Sequence, residues 1–208
     1  MRRPAPSADG LARCTWPGLD DPLYQKYHDE EWGVPCADDQ KLFEKLVLEG
    51  FQSGLSWLTI LRKREHFRKA FNGFDAARIA RYGDKDTARL MADAGIVRNR
   101  LKVEATIDNA RAYLALREKT TLSAFLWDFV DGKPQINRYK AHGDVPPQTD
   151  VSLAISKALK KQGFRFVGPT TVYAFMQSMG FVNDHLAGCH RHAACAALQK
   201  SFRVGRQS

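Results

Sequence analysis

Two widely separated residue pairs limit the folds open to this chain: Cys14 and His28 near one end, His185 and Cys189 near the other. Two thiolates and two imidazoles are a full donor set for a closed tetrahedral zinc site, with no position left for water. Built from these four, such a site would join the two ends and close a loop of nearly the whole chain, so its role would be structural. Residues four apart on a helix share a face, which predicts that His185 and Cys189 grip an ion from a helix over 183–190. Thirteen residues separate Cys14 from His28, and neither half has a zinc-finger spacing. Spacing alone leaves a second reading open, in which Cys14 and Cys189 are ordinary buried thiols and His28 and His185 are hydrogen-bonded core histidines.

The chain has 208 residues, 44% hydrophobic and 26% charged, enough to bury one sizeable core. A single domain is expected over 13–196, between polar tails at 1–12 and 197–208. No run approaches the ~20 apolar residues that span a bilayer, and the first ten residues lack a hydrophobic signal core. A membrane role is therefore not expected, and a cytoplasmic location is. In a reducing compartment the cysteines at 14, 36, 189 and 195 favour metal binding or free thiols over disulfides. Cys36 and Cys195 have no assigned role, and nothing calls for more than a monomer. The net charge of +9 attracts phosphate polyanions over roughly 8–10 Å in physiological salt, so nucleic acid leads the candidate partners. A basic protein with no polyanion partner would carry the same charge.

Apolar periodicity reads helical almost throughout, with no alternating strand, so an all-α fold is expected. Asp21-Pro22 starts a short helix carrying Tyr24, Tyr27 and His28 on one side. Further helices are expected over 39–49, 56–71, 75–82, 85–94, 98–117, 121–130, 151–162, 170–179 and 183–190, with Gly50, Gly83, Gly95, Gly163 and Gly180 at C-caps. Over 151–162, Val151, Ala154, Ile155, Ala158 and Leu159 form an apolar stripe, Lys157, Lys160 and Lys161 lie off it, and Asp150 or Ser152 is the expected cap. Residues 132–149, with Pro134, Pro146 and Pro147, read as a long loop.

Between the helices at 151–162 and 170–179 runs Gly163-Phe164-Arg165-Phe166-Val167-Gly168-Pro169-Thr170-Thr171, which gives a helix-hairpin-helix over about 151–180. Glycines permit the sharp turn, and Gly168 before a helix leaves N–H groups free for a phosphate. Thr170 and Thr171 add hydroxyls, and Lys161 and Arg165 add charge, so this segment is the candidate for sequence-independent DNA binding. Without its basic flank it would be a plain connector. Two more basic runs, Arg62-Lys63-Arg64 with Arg68 and Lys69, and Arg98, Arg100 and Lys102, are individually no more than solvated helix faces.

Glu49 falls at i+3 from Leu46 and i+7 from Leu42, on the apolar stripe of its helix, and near a C-terminus where the helix dipole disfavours negative charge. A partner from elsewhere is implied, the plain alternative being an exposed residue or a pair with Lys45. Trp16, Tyr24, Tyr27, Trp32 and Trp57 flank it. Aromatics usually mean core, yet rings around one inward carboxylate also describe a pocket for a flipped purine. Stacking worth roughly 1–3 kcal/mol per base can offset an unstacking cost of a few kcal/mol.

The runs Asp21-Pro22-Leu23-Tyr24, Tyr27-His28-Asp29-Glu30-Glu31-Trp32-Gly33-Val34-Pro35, Leu48-Glu49-Gly50, Gly54-Leu55-Ser56-Trp57, Gly163-Phe164-Arg165-Phe166-Val167-Gly168 and Val182-Asn183-Asp184-His185 resemble the bacterial 3-methyladenine DNA glycosylase I family over about residues 13–190. The resemblance implies a helix-hairpin-helix glycosylase fold, one structural zinc ion held by Cys14, His28, His185 and Cys189, and a base pocket made by Glu49, Trp16, Tyr24, Tyr27, Trp32 and Trp57. It matches Gly54 and Leu55 to a wedge that fills the gap left in the duplex. It implies a base-excision repair enzyme that acts on alkylated double-stranded DNA in the nucleoid and releases 3-methyladenine.

Other helix-hairpin-helix glycosylases carry an aspartate where this chain has Asn183, and bifunctional lyases carry a lysine where it has Pro169-Thr170-Thr171. A monofunctional hydrolase is therefore expected, with Glu49 as its catalytic residue. A cationic N3-methylated base is already a good leaving group, and water attack at C1′ would leave an abasic site. Three other readings stay open: a non-catalytic zinc-stapled module for distorted DNA, a glycosylase for oxidised or mispaired purines, and a helical protein-interaction domain.

Overall fold

The computed structural model describes residues 9–205. Among them are ten α-helices: α1 (Pro22–Glu30), α2 (Asp39–Gln52), α3 (Trp57–Ala70), α4 (Ala76–Ile79), α5 (Asp84–Ala92), α6 (Arg100–Arg117), α7 (Leu122–Trp127), α8 (Asp150–Lys161), α9 (Pro169–Ser178) and α10 (His190–Ser201). Their starts follow from capping chemistry. Asp21 accepts from the Leu23 and Tyr24 N–H groups, Asp38 from Lys41 and Ser56 from Thr59, each meeting a donor that the first turn leaves unpaired. Thr149, rather than Asp150 or Ser152, caps α8, in a reciprocal box with Ser152.

The central helix is α2, which packs against α3, α6, α7 and α9. Leu42, Phe43, Leu46 and Phe51 of α2 meet Ile60 and Phe67 of α3, Val103 and Ala110 of α6, and Val172 and Phe175 of α9, all buried in one core. Burying each such Leu or Phe contributes about 1.5–3 kcal/mol against the entropy of ordering it. Gly50 lies inside α2 instead of ending it. A Cβ there would stand 3.3 Å from Phe166 Cβ, so the bare glycine lets the turn between α8 and α9 lie against α2. Gly83 is an N-cap, whereas Gly163 and Gly180, with φ of 92° and 72°, follow α8 and α9 as expected.

Two further expectations need correction. Residues 183–190 are not a helix. Val182–Asn183 (β2) pair in parallel with Gln135–Ile136 (β1), inside the segment read as loop, and a two-residue ladder is too short to show alternation. The chain then turns, and Cys189 caps α10, accepting from the Arg191 N–H. The helix therefore runs through part of the expected 197–208 tail. Its end is held because Gln199 donates to the Gly33 and Gly180 carbonyls and Phe202 packs on Trp127 at 4.6 Å. The expected tail at 1–12 lies outside the described residues up to residue 8, while the Ala12 carbonyl accepts from His190 N–H at 2.8 Å.

Candidate active site and metal centre

The α2 stripe carries Glu49 inward, where it is 4% exposed at the wall of a cavity of about 240 Å³. Trp16, Tyr24, Tyr27, Trp32 and Trp57 line the same cavity, so all five aromatics come together around the carboxylate. Tyr24 and Tyr27 follow from the i, i+3 spacing on α1, and Trp57 opens α3. Tyr24 and Tyr27 lie 6.3 Å apart and near parallel, and Tyr27 and Trp57 are 5.3 Å apart. Trp16 meets the Trp32 ring edge-on at 4.6 Å.

Burial pushes the Glu49 carboxyl up to about 7, while Lys45 and the Ser178 hydroxyl favour its ionised form. Burial also raises Tyr24, to about 12, and Tyr27, each with a smaller contribution from the Glu49 charge. Lys45 is itself buried; its ammonium donates to the Tyr27 hydroxyl at 3.1 Å and lies 4.0 Å from the centre of the Trp57 ring. Burial lowers its pKa to about 8. The sequence offered this lysine, one turn before Glu49, only as an ion-pair partner for it; the structure turns its ammonium to Tyr27 and Trp57 instead.

A second cavity, lined by Gln52, Gly54, Leu55, Thr170, Thr171 and others, shares Glu49, Gln52 and Ala174 with the first. Leu55, 43% exposed, and the start of α9 therefore flank one opening. Gly163, Lys161 and Arg165 lie exposed on the neighbouring turn and Gly168 is half-buried. The Arg165 guanidinium is engaged by Asp108 at 2.6 Å, and Asn109 holds the turn's backbone through Arg165 N–H and carbonyl. Several members of the other basic runs serve the fold. Arg62 pairs with Asp21, Arg64 with Glu31 and Arg68 with Glu44, while the Lys102 ammonium donates to the Phe51 and Ser53 carbonyls at the end of α2. Asn183 is fully buried and spent on the His192 carbonyl and His185 N–H; its neighbour Asp184 is the one that lines the base cavity.

Behind the aromatic wall Cys14, His28, His185 and Cys189 converge, all buried, with their four candidate ligand atoms within 4.8 Å of one another. Cys189 Sγ lies 3.5 Å from His28 Nε2 and 3.6 Å from His185 Nδ1, and Cys14 Sγ 3.7 Å from His185 Nδ1. A tetrahedral ion with bonds of about 2.3 Å to sulfur and 2.0 Å to nitrogen requires sulfur-to-nitrogen edges of ~3.5 Å, so the cluster fits a metal. The remaining ring nitrogens are also placed for it. His28 Nδ1 is 2.7 Å from Asp29, and His185 Nε2 donates to the Trp32 carbonyl at 3.0 Å, fixing which nitrogen faces the centre. Desolvation keeps His185 below its ordinary pKa and so neutral. The Cys14 thiol is raised by its hydrogen bond to Cys189 and by burial, while Cys189 is lowered by the same bond and by His185 and His28. Asp29, against the cost of its own burial, is held well below the usual carboxylate range by Arg13, His28 and His190. His185 and Cys189 reach the centre from the turn before α10, not from one helix face.

Comparison with known proteins gives the family over most of the chain. The pattern of the family described as methyladenine glycosylase matches residues 16–192. DNA-3-methyladenine glycosylase 1 of Escherichia coli (strain K12) is 49% identical over 180 residues, covering 86% of this chain and 96% of its own. DNA-3-methyladenine glycosylase of Haemophilus influenzae is 52% identical over 178 residues, covering 85% and 96%. A crystal structure of 3-methyladenine DNA glycosylase I superposes with a TM-score of 0.83 at 51% identity over 86% of this chain and 98% of that one. With the family pattern covering most of its length and relatives near half identity, this chain belongs to the methyladenine glycosylase family, glycosidases that act on N-glycosidic bonds.

Proposed function

We propose that the protein binds alkylated duplex DNA as a monomer, takes an N3-methyladenine nucleotide out of the stack and hydrolyses its glycosidic bond without lyase activity. The observation that carries this reading is the buried Glu49 carboxylate inside a cavity walled by Trp16, Tyr24, Tyr27, Trp32 and Trp57. The rings stack on an extruded base, and stacking of roughly 1–3 kcal/mol offsets much of the unstacking cost. A cationic base in the cavity stabilises ionised Glu49, and the carboxylate in turn prefers that base to neutral adenine. Desolvating the positive base favours its departure as a neutral molecule, and the Glu49 carboxylate assists bond cleavage to the extent that it faces the positive charge that shifts to the sugar as the bond to C1′ breaks. Water adds at C1′ as the C1′–N bond breaks, the base leaves neutral as 3-methyladenine with the bonding electron pair, the added water loses its proton to solvent, and an abasic site remains.

No lysine lines the base cavity among the described residues, and Lys45 is committed to Tyr27 and Trp57, which supports hydrolysis rather than a Schiff base. The α8–turn–α9 unit acts as a helix-hairpin-helix: the free N–H groups at the start of α9 with Thr170 and Thr171, together with Gly163, Gly168, Lys161 and Arg165, hold the DNA backbone, and Leu55 with Gly54 fills the vacated space. Zinc is the ion best matched to two thiolates and two imidazoles; Cys14, His28, His185 and Cys189 would hold it, with a structural role only. No helix is long and apolar enough to cross a membrane among the described residues, in keeping with action on nucleoid DNA in the cytoplasm.

Chromatography of the bases released from methylated duplex DNA, with wild type beside Glu49→Gln, tests the reading. Selective release of 3-methyladenine by wild type, at least a hundredfold slower in the variant with DNA binding retained, is expected. Metal-replete protein that binds DNA and releases no base would make it a binding module.

A further inference from the structure

The base cavity contains a second carboxylate that the reaction outlined above does not use. Asp184, 2% exposed, forms part of the wall beside Gln177 and Ala174 of α9. Its Oδ1 accepts from Asn137 Nδ2 at 2.7 Å, and its Oδ2 accepts from the Tyr173 hydroxyl at 2.6 Å and from Gln177 Nε2 at 2.8 Å. All three donors are neutral. Among other acids of the fold, Asp29 is met by Arg13 and Glu31 by Arg64, whereas Asp184 joins no ion pair among the described residues. A buried carboxylate is normally offset by a cation, because its desolvation is costly. Three neutral hydrogen bonds satisfy the oxygens and fix their position, yet leave the net charge in place.

Glu49 differs in this respect. Lys45 sits on the same helix, and its ammonium offsets part of the Glu49 charge. The two acids also come from different elements, Glu49 from α2 and Asp184 from the turn after β2, so they approach a bound ring independently. Asn183 cannot supply this charge, being amide and fully engaged in the fold.

We infer that Asp184 is a specificity-determining residue whose fixed negative charge, added to that of Glu49, makes the cavity select a positively charged base over a neutral one of similar shape. The inference rests on the glycosylase reading and deepens it by giving the charge selection a second carboxylate besides Glu49. Stacking alone treats every purine alike, since each has the same flat face. Discrimination against the large excess of undamaged bases therefore has to come from an interaction that those bases cannot make.

The test compares two probes at pH 8, the permanent cation 3,9-dimethyladeninium and neutral 3-methyladenine, titrated into the metal-replete protein and followed by tryptophan fluorescence and calorimetry. Asp184→Asn is expected to weaken the cation by roughly tenfold, the size expected for unit charges several ångströms apart in a partly solvated site, and to leave 3-methyladenine within about twofold. Gln177→Lys keeps the carboxylate and its hydrogen bond but sets an ammonium beside it, so the same selective loss is expected even where Asp184→Asn fails to fold. Equal weakening of both probes by Asp184→Asn, or an unchanged ratio in Gln177→Lys, would reduce Asp184 to structural support and overturn the inference alone. Wild type that binds neither probe would overturn the glycosylase reading and the inference with it.

Discussion

Lys45 and Glu49 stand one turn apart on α2, both buried, without forming an ion pair. The ammonium turns to the Tyr27 hydroxyl and the face of Trp57, and the carboxylate is left to the cavity. Burial holds Glu49 up at about 7, and the nearby cation works against that rise. In Lys45→Met this opposition is gone, so the Glu49 pKa rises further and a smaller fraction is ionised at any pH below it. If ionised Glu49 is needed for excision, activity falls as pH falls through this pKa, and in the variant the acid limb moves to higher pH by about one unit. Excision rates from pH 5.5 to 9 measure the shift; superimposable limbs would show that Lys45 does not govern Glu49.

The cluster of Cys14, His28, His185 and Cys189 is expected to hold one zinc ion per chain. Chelation or Cys189→Ser is expected to lower the melting temperature by about 10 °C or more, since metal binding free energy is also folding free energy. Asp29→Asn, which weakens the hold on His28 while leaving all four ligands, should reduce zinc affinity by roughly 10–100-fold. Calorimetry and competition with a coloured chelator read both effects.

Gly180 follows α9 at φ of 72°, and a Cβ there would lie 2.4 Å from Pro35 N and 2.6 Å from the Val34 carbonyl carbon. Those are backbone atoms and cannot swing aside. Gly180→Ala is expected to cost more than about 2 kcal/mol, or roughly 6 °C in melting temperature. Gly54 has a similar φ of 81° but open space around it, so Gly54→Ala should cost only about 1 kcal/mol.

Leu55 gives up little on mutation of the free protein because it is 43% exposed. Leu55→Ala should therefore leave the melting temperature within about 1 °C while reducing excision from duplex DNA roughly tenfold, the value of an apolar side chain that inserts only in the complex. Single-stranded methylated DNA, which has no gap to fill, is the control and should be affected less.

The helices were legible because their apolar stripes are long and their caps are local: α8 is expected over 151–162 and lies at Asp150–Lys161. Glu49 was legible for the same reason, as a charge on an apolar stripe. The stretch after α9 was not. Its backbone is claimed by Gln135 and Ile136, a pairing of distant segments that leaves no periodic trace. The basic runs were ambiguous because an arginine's partner is set by the fold: Arg62 meets Asp21 at the start of α1, Arg64 meets Glu31 at its end, Arg68 meets Glu44 of α2, and Lys102 meets carbonyls. Asp29 and Asp184 look like surface acids until Arg13, Tyr173 and Asn137 are brought to them.

The Trp32 carbonyl holds His185 while the Trp32 ring lines the base cavity, and Trp16 packs between that ring and His28 at 4.6 and 4.9 Å. One side of the cavity is thus fastened from residues close to the chain's C-terminal end. A chain that stops short of His185 carries the sequence of α1 to α9 but lacks two of the four residues gathered behind this wall. Fragments cut short before this point would have the aromatic residues and Glu49 without the wall that sets their spacing, so partial translation products would be poor competitors for damaged DNA.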